Sequence, residues 1–132
     1  MIRYARYAGL AIVFLWFMLG GVSHFTKVEF FLAIMPPYVP FPLAAVYVSG
    51  VFEILFAIGI VVPATREISG ILLILLTLAV TPANVHMWMH PELYPNVAPA
   101  LLSGRLVLQV LLLWLIWWST RMPRTTPAPA NA

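Results

Sequence analysis

Four long apolar runs alternate with short stretches that hold most of the proline and charge of the chain. The runs extend from about Tyr4 to Val22, Leu43 to Val62, Ile68 to Met89 and Leu101 to Trp118. Each is near the ~20 residues that a helix rising ~1.5 Å per residue needs to cross the hydrocarbon layer. Pro36, Pro37, Pro40 and Pro42 close the first connection, Pro63 opens the second, and Pro91, Pro95 and Pro99 stiffen the third. The pattern predicts an all-α protein: a four-helix transmembrane bundle with an interfacial, Pro-rich first outer loop. The membrane domain is expected over 1–119, followed by a disordered cytoplasmic tail over 120–132 that is rich in Pro, Ala and Thr.

Composition narrows the class. Of 132 residues 63% are hydrophobic and 8% are charged, against roughly 25% charged in ordinary soluble domains, so the outer surface is expected to face lipid. Zero cysteines remove disulfides, thiolate metal sites and any thiol relay by the chain itself. A net charge of +3, scattered along the chain, is too weak a field to attract nucleic acid. Arg3 and Arg6 before the first run imitate a secretory signal, but the run exceeds a signal core and three more spans follow, so it is read as a span.

Basic residues set the orientation. Arg3, Arg6, Arg66, Arg121 and Arg124 fall on the side of the termini and the 63–67 turn, whereas Lys27 and Arg105 fall on the other. The excess places both termini in the cytoplasm. Trp114, Trp117 and Trp118 then form an inner aromatic belt, and Phe31, Tyr38, Tyr47 and Trp88 lie toward the outer interface. The stretch Glu29 to Met35, EFFLAIM, is too short to span; it reads equally as a lid over the bundle mouth or as a plain anchoring loop.

The residues that are costly to place in lipid point to a site. Glu53 lies roughly 15 Å below the outer boundary of the second span, where an ionisable group faces the bundle interior and is paired or protonated. Gln109 on the fourth span is nearly level with it; Arg105, one turn outward, is close in depth to Ser49, Asn84 and His86, and His24 caps the first span. Pro82 is expected to kink the third span just below Asn84 and His86. The segments 54–62 and 110–118 are wholly apolar, so no polar path is expected to cross the membrane within one chain, which argues against a channel or proton-coupled transporter and favours a pocket that opens outward or sideways.

The ligand-binding candidates are therefore His24, Glu53, Asn84, His86, Arg105 and Gln109. Four chemistries compete for them. A metal site would draw on His24, His86 and His90, and a haem on His24 and His86. A quinone fits the asymmetry better: its ring and tail enter from lipid, and its two oxygens need donors in the outer half. The bland reading is a buried lock of Glu53 with Arg105 or Gln109 that fixes helix register. Gly20, Gly21, Ser49, Gly50, Ala57 and Gly70 are packing surfaces under any of them.

The motifs GGVSHF, MPPYVPFP, VSGVFEILFAIGIVVPATRE and TPANVHMW, in that order, resemble the DoxX-like family of small four-helix membrane proteins. The resemblance covers about Gly20 to Met89. His24, Pro37, Gly50, Glu53, Pro82 and Asn84 match the family's signature positions. It implies an accessory subunit of an oxidoreductase or electron-transfer assembly in the bacterial inner membrane, bound to a larger complex and not catalytic alone. It brings no catalytic residue set with it. The competing expectation is a structural or assembly subunit that packs on a larger membrane complex and holds no ligand.

The charge count yields a direct test. A reporter fused after Ala132 is expected to be active in the cytoplasm, and one inserted in the loop between Glu92 and Val97 outside it. An external C-terminus would reverse the leaflet assigned to every residue above.

Overall fold

The structure is a computed structural model that describes residues 1–95, 97–121 and 130; of the tail expected over 120–132, Thr120 is instead the buried last residue of a helix, and the rest apart from Arg121 and Ala130 lies outside the described residues. Four helices are long and apolar enough to cross a membrane: α1 (Ile2–Thr26), α3 (Pro42–Val61), α4 (Arg66–Met89) and α5 (Pro99–Thr120). A short helix, α2 (Val28–Ile34), lies between the first two, and a 3-10 turn, Pro91–Leu93, follows α4. The chain is thus an all-helical, multi-pass membrane protein. We call the end that carries Met1, Arg121 and the α3–α4 turn the terminal end, and the opposite end, with α2 and the α4–α5 connection, the loop end.

Around the bundle each long helix touches two others, in the order α1, α3, α4, α5 and back to α1. Side chains such as Ile12, Leu55, Leu75 and Val110 point outward, as a hydrocarbon solvent requires. The core, with Val13, Phe17, Ala57, Ile60, Leu73 and Ile116, fills the middle and the terminal half. Lipid tails are as apolar as these side chains, so the helices are held by close fit rather than by hydrophobic exclusion.

Small residues set that fit at every seam. Between α1 and α3, Gly21 lies against the carbonyl of Gly50, and a methyl added at Gly50 would stand 2.6 Å from the His24 Cβ. Gly59 faces Ser69 between α3 and α4, Gly70 faces Thr120 between α4 and α5, and Gly9 faces Ser119 between α5 and α1. Three of the four lie at the terminal end. There the helices close completely, while at the loop end only α1 and α3 are drawn together.

At the terminal end two arginines cover helix C-termini. Arg66 donates from Nε to the Ile60 carbonyl at 2.8 Å and from Nη2 to that of Val61 at 3.2 Å, covering the C-terminus of α3. Arg6 donates to the carbonyls of Trp118 and Arg121 at the C-terminus of α5, with its guanidinium over the Trp118 ring. These last-turn carbonyls have no partner within their helices and carry the negative end of the helix dipole, so a cation fits both needs.

Helices α1, α4 and α5 run beyond the spans read from sequence, while α3 matches its span to within a residue at each end. The Gly20–Gly21 pair lies inside α1, and Gly21 makes the close approach to α3 expected of a packing surface. Likewise Pro82 interrupts no element: α4 is continuous through it to Met89. The first connection is compact. Phe41, between Pro40 and Pro42, adopts a left-handed backbone (φ 49°) and its carbonyl accepts from Ala45 at 2.9 Å as α3 begins. Short α2 folds back over the loop end and touches α1, α3 and α4, which matches the lid alternative. Ile34 packs with Met87 and Leu102, and the Tyr94 hydroxyl donates to the Ala33 carbonyl at 3.0 Å. Partial burial raises the Tyr94 phenol above its ordinary range, so it remains a donor at physiological pH.

Gly50→Ala is expected to cost about 1–3 kcal/mol, because the added methyl has no room against His24. Gly104→Ala is the control: nothing lies within 4 Å of its new methyl, so stability should hold or rise. Thermal unfolding in detergent would separate them, and equal Tm values would contradict the close α1–α3 seam.

Candidate functional site

Because α4 and α5 stand away from α1 and α3 at the loop end, a cavity of about 880 Å³ opens there. All five helices contribute to its wall, and α2 roofs it with Phe31. The Phe17 and Leu112 side chains form its floor above the apolar core. Trp16 and Leu19 of α1 and Leu108 of α5 line it and are also exposed on the outside of the bundle, so it opens sideways toward lipid.

One wall carries an acid and an imidazole. His24 projects from α1 and Glu53 from α3, with Nε2 3.6 Å from Oε1, and their side chains are 8% and 12% exposed. Gly20 lies beside the carboxylate: a methyl there would stand 3.1 Å from Oε2. On its other side the imidazole is held by Nδ1, 2.8 Å from the Val46 carbonyl and 3.1 Å from the Ser49 hydroxyl, which itself donates to Val46 at 3.0 Å. A carbonyl only accepts, so Nδ1 carries a hydrogen and Nε2 is the atom that faces Glu53. A lone carboxylate at this depth is costly, and one proton held between Nε2 and the carboxylate makes the pair neutral. Phe31 stacks on the imidazole with ring centres 3.9 Å apart, which ties the lid to the pair.

The facing wall is a relay of uncharged groups ending in a cation. Arg105 Nη2 donates to Asn84 Oδ1 at 3.1 Å, Asn84 Nδ2 to Gln109 Oε1 at 2.9 Å, and Gln109 Nε2 to the Thr81 hydroxyl at 2.7 Å. Thr81 passes its own hydrogen to the Thr77 carbonyl at 2.9 Å. That bond lies in the turn just before Pro82, whose missing N–H leaves the neighbouring Leu78 carbonyl without its helical donor. Among the described residues Arg105 spends one of its five N–H donors on the protein, and it lines the cavity.

Five of the six candidates read from the sequence, His24, Glu53, Asn84, Arg105 and Gln109, therefore line one cavity. His86 does not. It follows Asn84 by two residues, a turn of about 200° around the helix, and lines a second cavity on the other side of α4 with His90. The proposed triad of His24, His86 and His90 is thus not brought together, nor is the haem pair of His24 and His86. The expected lock is also differently built: Glu53 pairs with His24, while Arg105 and Gln109 both bond to Asn84. Depth alone could not separate these partners, since it fixes height but not the order of helices around the bundle. Thr81 and Phe31 were not singled out. The signal for Thr81 was its place before Pro82, and for Phe31 its position one turn along α2 from Lys27.

A family model described as a domain of unknown function (DUF8561) matches residues 10–122. The chain belongs to that family. The match takes in nearly all of the bundle and both walls of the cavity, so the DUF8561 unit includes the whole site. No curated protein and no solved structure matches the chain.

Pairing can be measured directly. Glu53→Gln and His24→Phe should each destabilise the bundle, and the double variant should fall short of their sum by ~0.5–3 kcal/mol. Glu53→Gln and Arg105→Leu should add. Additive losses for His24 and Glu53 would mean that the two act separately.

Proposed function

We propose that this DUF8561 chain is an accessory subunit of a membrane oxidoreductase or electron-transfer assembly, and that it holds the ring of a lipid-borne quinone in the loop-end cavity. The observation that carries the reading is the cavity with two unlike polar walls and an opening to lipid. A quinone has two oxygens on opposite edges of an apolar ring. One would lie at the neutral His24–Glu53 pair, which can lend its proton to a ligand oxygen, and the other at the spare donors of Arg105. The volume suits a ring with the first part of its tail, and the remainder of the tail would pass between Trp16 and Leu108 into the bilayer. Electrons would be exchanged with a redox partner in a larger complex.

The excess of arginine at the terminal end supports placing both termini in the cytoplasm, in a bacterial inner membrane, with the cavity near the external face. The resemblance to DoxX-like proteins at His24, Gly50, Glu53, Pro82 and Asn84 supports the redox setting. One observation favours the structural alternative. Asn84, Gln109 and Thr81 satisfy one another without any ligand, as a helix lock would.

Trp16 offers a probe, since it lines the cavity while Trp114 and Trp117 lie at the other end of the bundle. In lipid nanodiscs, a short-chain ubiquinone analogue should quench tryptophan fluorescence saturably, and Trp16→Phe should remove the saturable part. Arg105→Leu should weaken binding by roughly tenfold, as loss of about 1.4 kcal/mol does. Quenching that never saturates, and is alike in all three proteins, would leave the chain as a scaffold.

A further inference from the structure

We propose that His86, Met89 and His90 form a copper(I) site at the loop end, separate from the quinone reading above. The three residues occupy one face of the last turn of α4, at spacings i, i+3 and i+4, which a helix brings side by side. They line a cavity of about 470 Å³ that shares Tyr38 and Pro82 with the larger one but turns away from Glu53. The two imidazole centres are 4.5 Å apart. His90 Nδ1 lies 3.0 Å from the His86 carbonyl, so it carries the hydrogen and Nε2 is left with its lone pair free. A histidine that gives one ring N–H to a backbone carbonyl has its ring orientation and tautomer fixed, the usual support for a metal ligand. Among the described residues no donor reaches the ring of His86.

The donor set selects the ion. Two neutral imidazoles and a thioether contain no carboxylate or thiolate to balance a divalent charge, and a thioether is a soft ligand that favours copper(I) over zinc(II). Access is from the loop-end surface, because Met89 is 63% exposed and His90 ends the helix. The site is open on one side, which suits an ion that is received and passed on by ligand exchange rather than one locked into the fold.

The test uses the full chain in detergent, titrated with copper(I) against a chromophoric copper(I) chelator under reducing, oxygen-free conditions. One equivalent should be retained. His86→Gln and His90→Gln should each weaken it by at least ~10-fold, Met89→Leu should weaken copper(I) alone, and zinc(II) should bind less tightly throughout. No retained copper, unchanged affinity in the His86→Gln/His90→Gln double variant, or zinc bound as well as copper would overturn the proposal. Diethyl pyrocarbonate labelling of the unaltered protein gives an answer that does not depend on variants folding. Copper(I) should shield His86 and His90 and leave His24 labelling unchanged; equal labelling with and without copper would be decisive against it.

Discussion

A carboxyl group in the middle of a membrane must be given a partner, and much of this bundle is arranged to give Glu53 one. His24 can reach it only because α1 and α3 come within glycine distance, Gly21 against the Gly50 backbone. The same approach lets the Val46 carbonyl grip the far side of the imidazole. Gly20 leaves room for the second carboxylate oxygen. The helix–helix seam and the ion pair are therefore one object: widening the seam would strand the charge, and removing the charge would leave the seam with a hole.

Against that tight pair of helices the other two are seamed directly at one end only, and at the loop end they are joined through α2, where Ile34 packs on Met87 and Leu102. Glycine meets serine or threonine at the three remaining seams, all near the termini, and arginines cover the carbonyls of α3 and α5 there. Toward the loops α4 and α5 diverge, and the space is spanned by side chains that bond to each other rather than to α1 or α3. The result is a vessel with a closely packed base and a polar-lined cavity in its upper half. Such a vessel has room for an amphiphile in its upper half.

The four spans and the height of the polar groups were legible in the sequence, because hydropathy and rise per residue determine them, whereas the 29–35 stretch read equally as lid or anchor. Glu53, Asn84, Arg105 and Gln109 were placed in one half on that ground alone. Partner choice was not legible. Whether Glu53 meets His24 or Arg105 depends on the cyclic order of the helices, which no local pattern records. The same limit misplaced His86, whose height is right and whose bearing is wrong: two residues along a helix from Asn84 is nearly the opposite face. Gly9 and Gly59 escaped notice for a different reason. A lone glycine in an apolar run looks like a mild defect until the residue across the seam is known.

The rim of the cavity owes its shape to covalent stiffness. Pro36, Pro37, Pro40 and Pro42 leave the 35–42 connection few backbone conformations to lose, so ordering it costs less conformational entropy than an ordinary loop of that length would. Phe41 stores a little of what is saved, since its left-handed backbone is unfavourable by ~1–2 kcal/mol for a residue with a side chain. Pro36, Tyr38 and Val39 on this segment line the mouth. A molecule arriving from the bilayer therefore meets an edge that does not have to be ordered for its sake, and its affinity is spared that penalty.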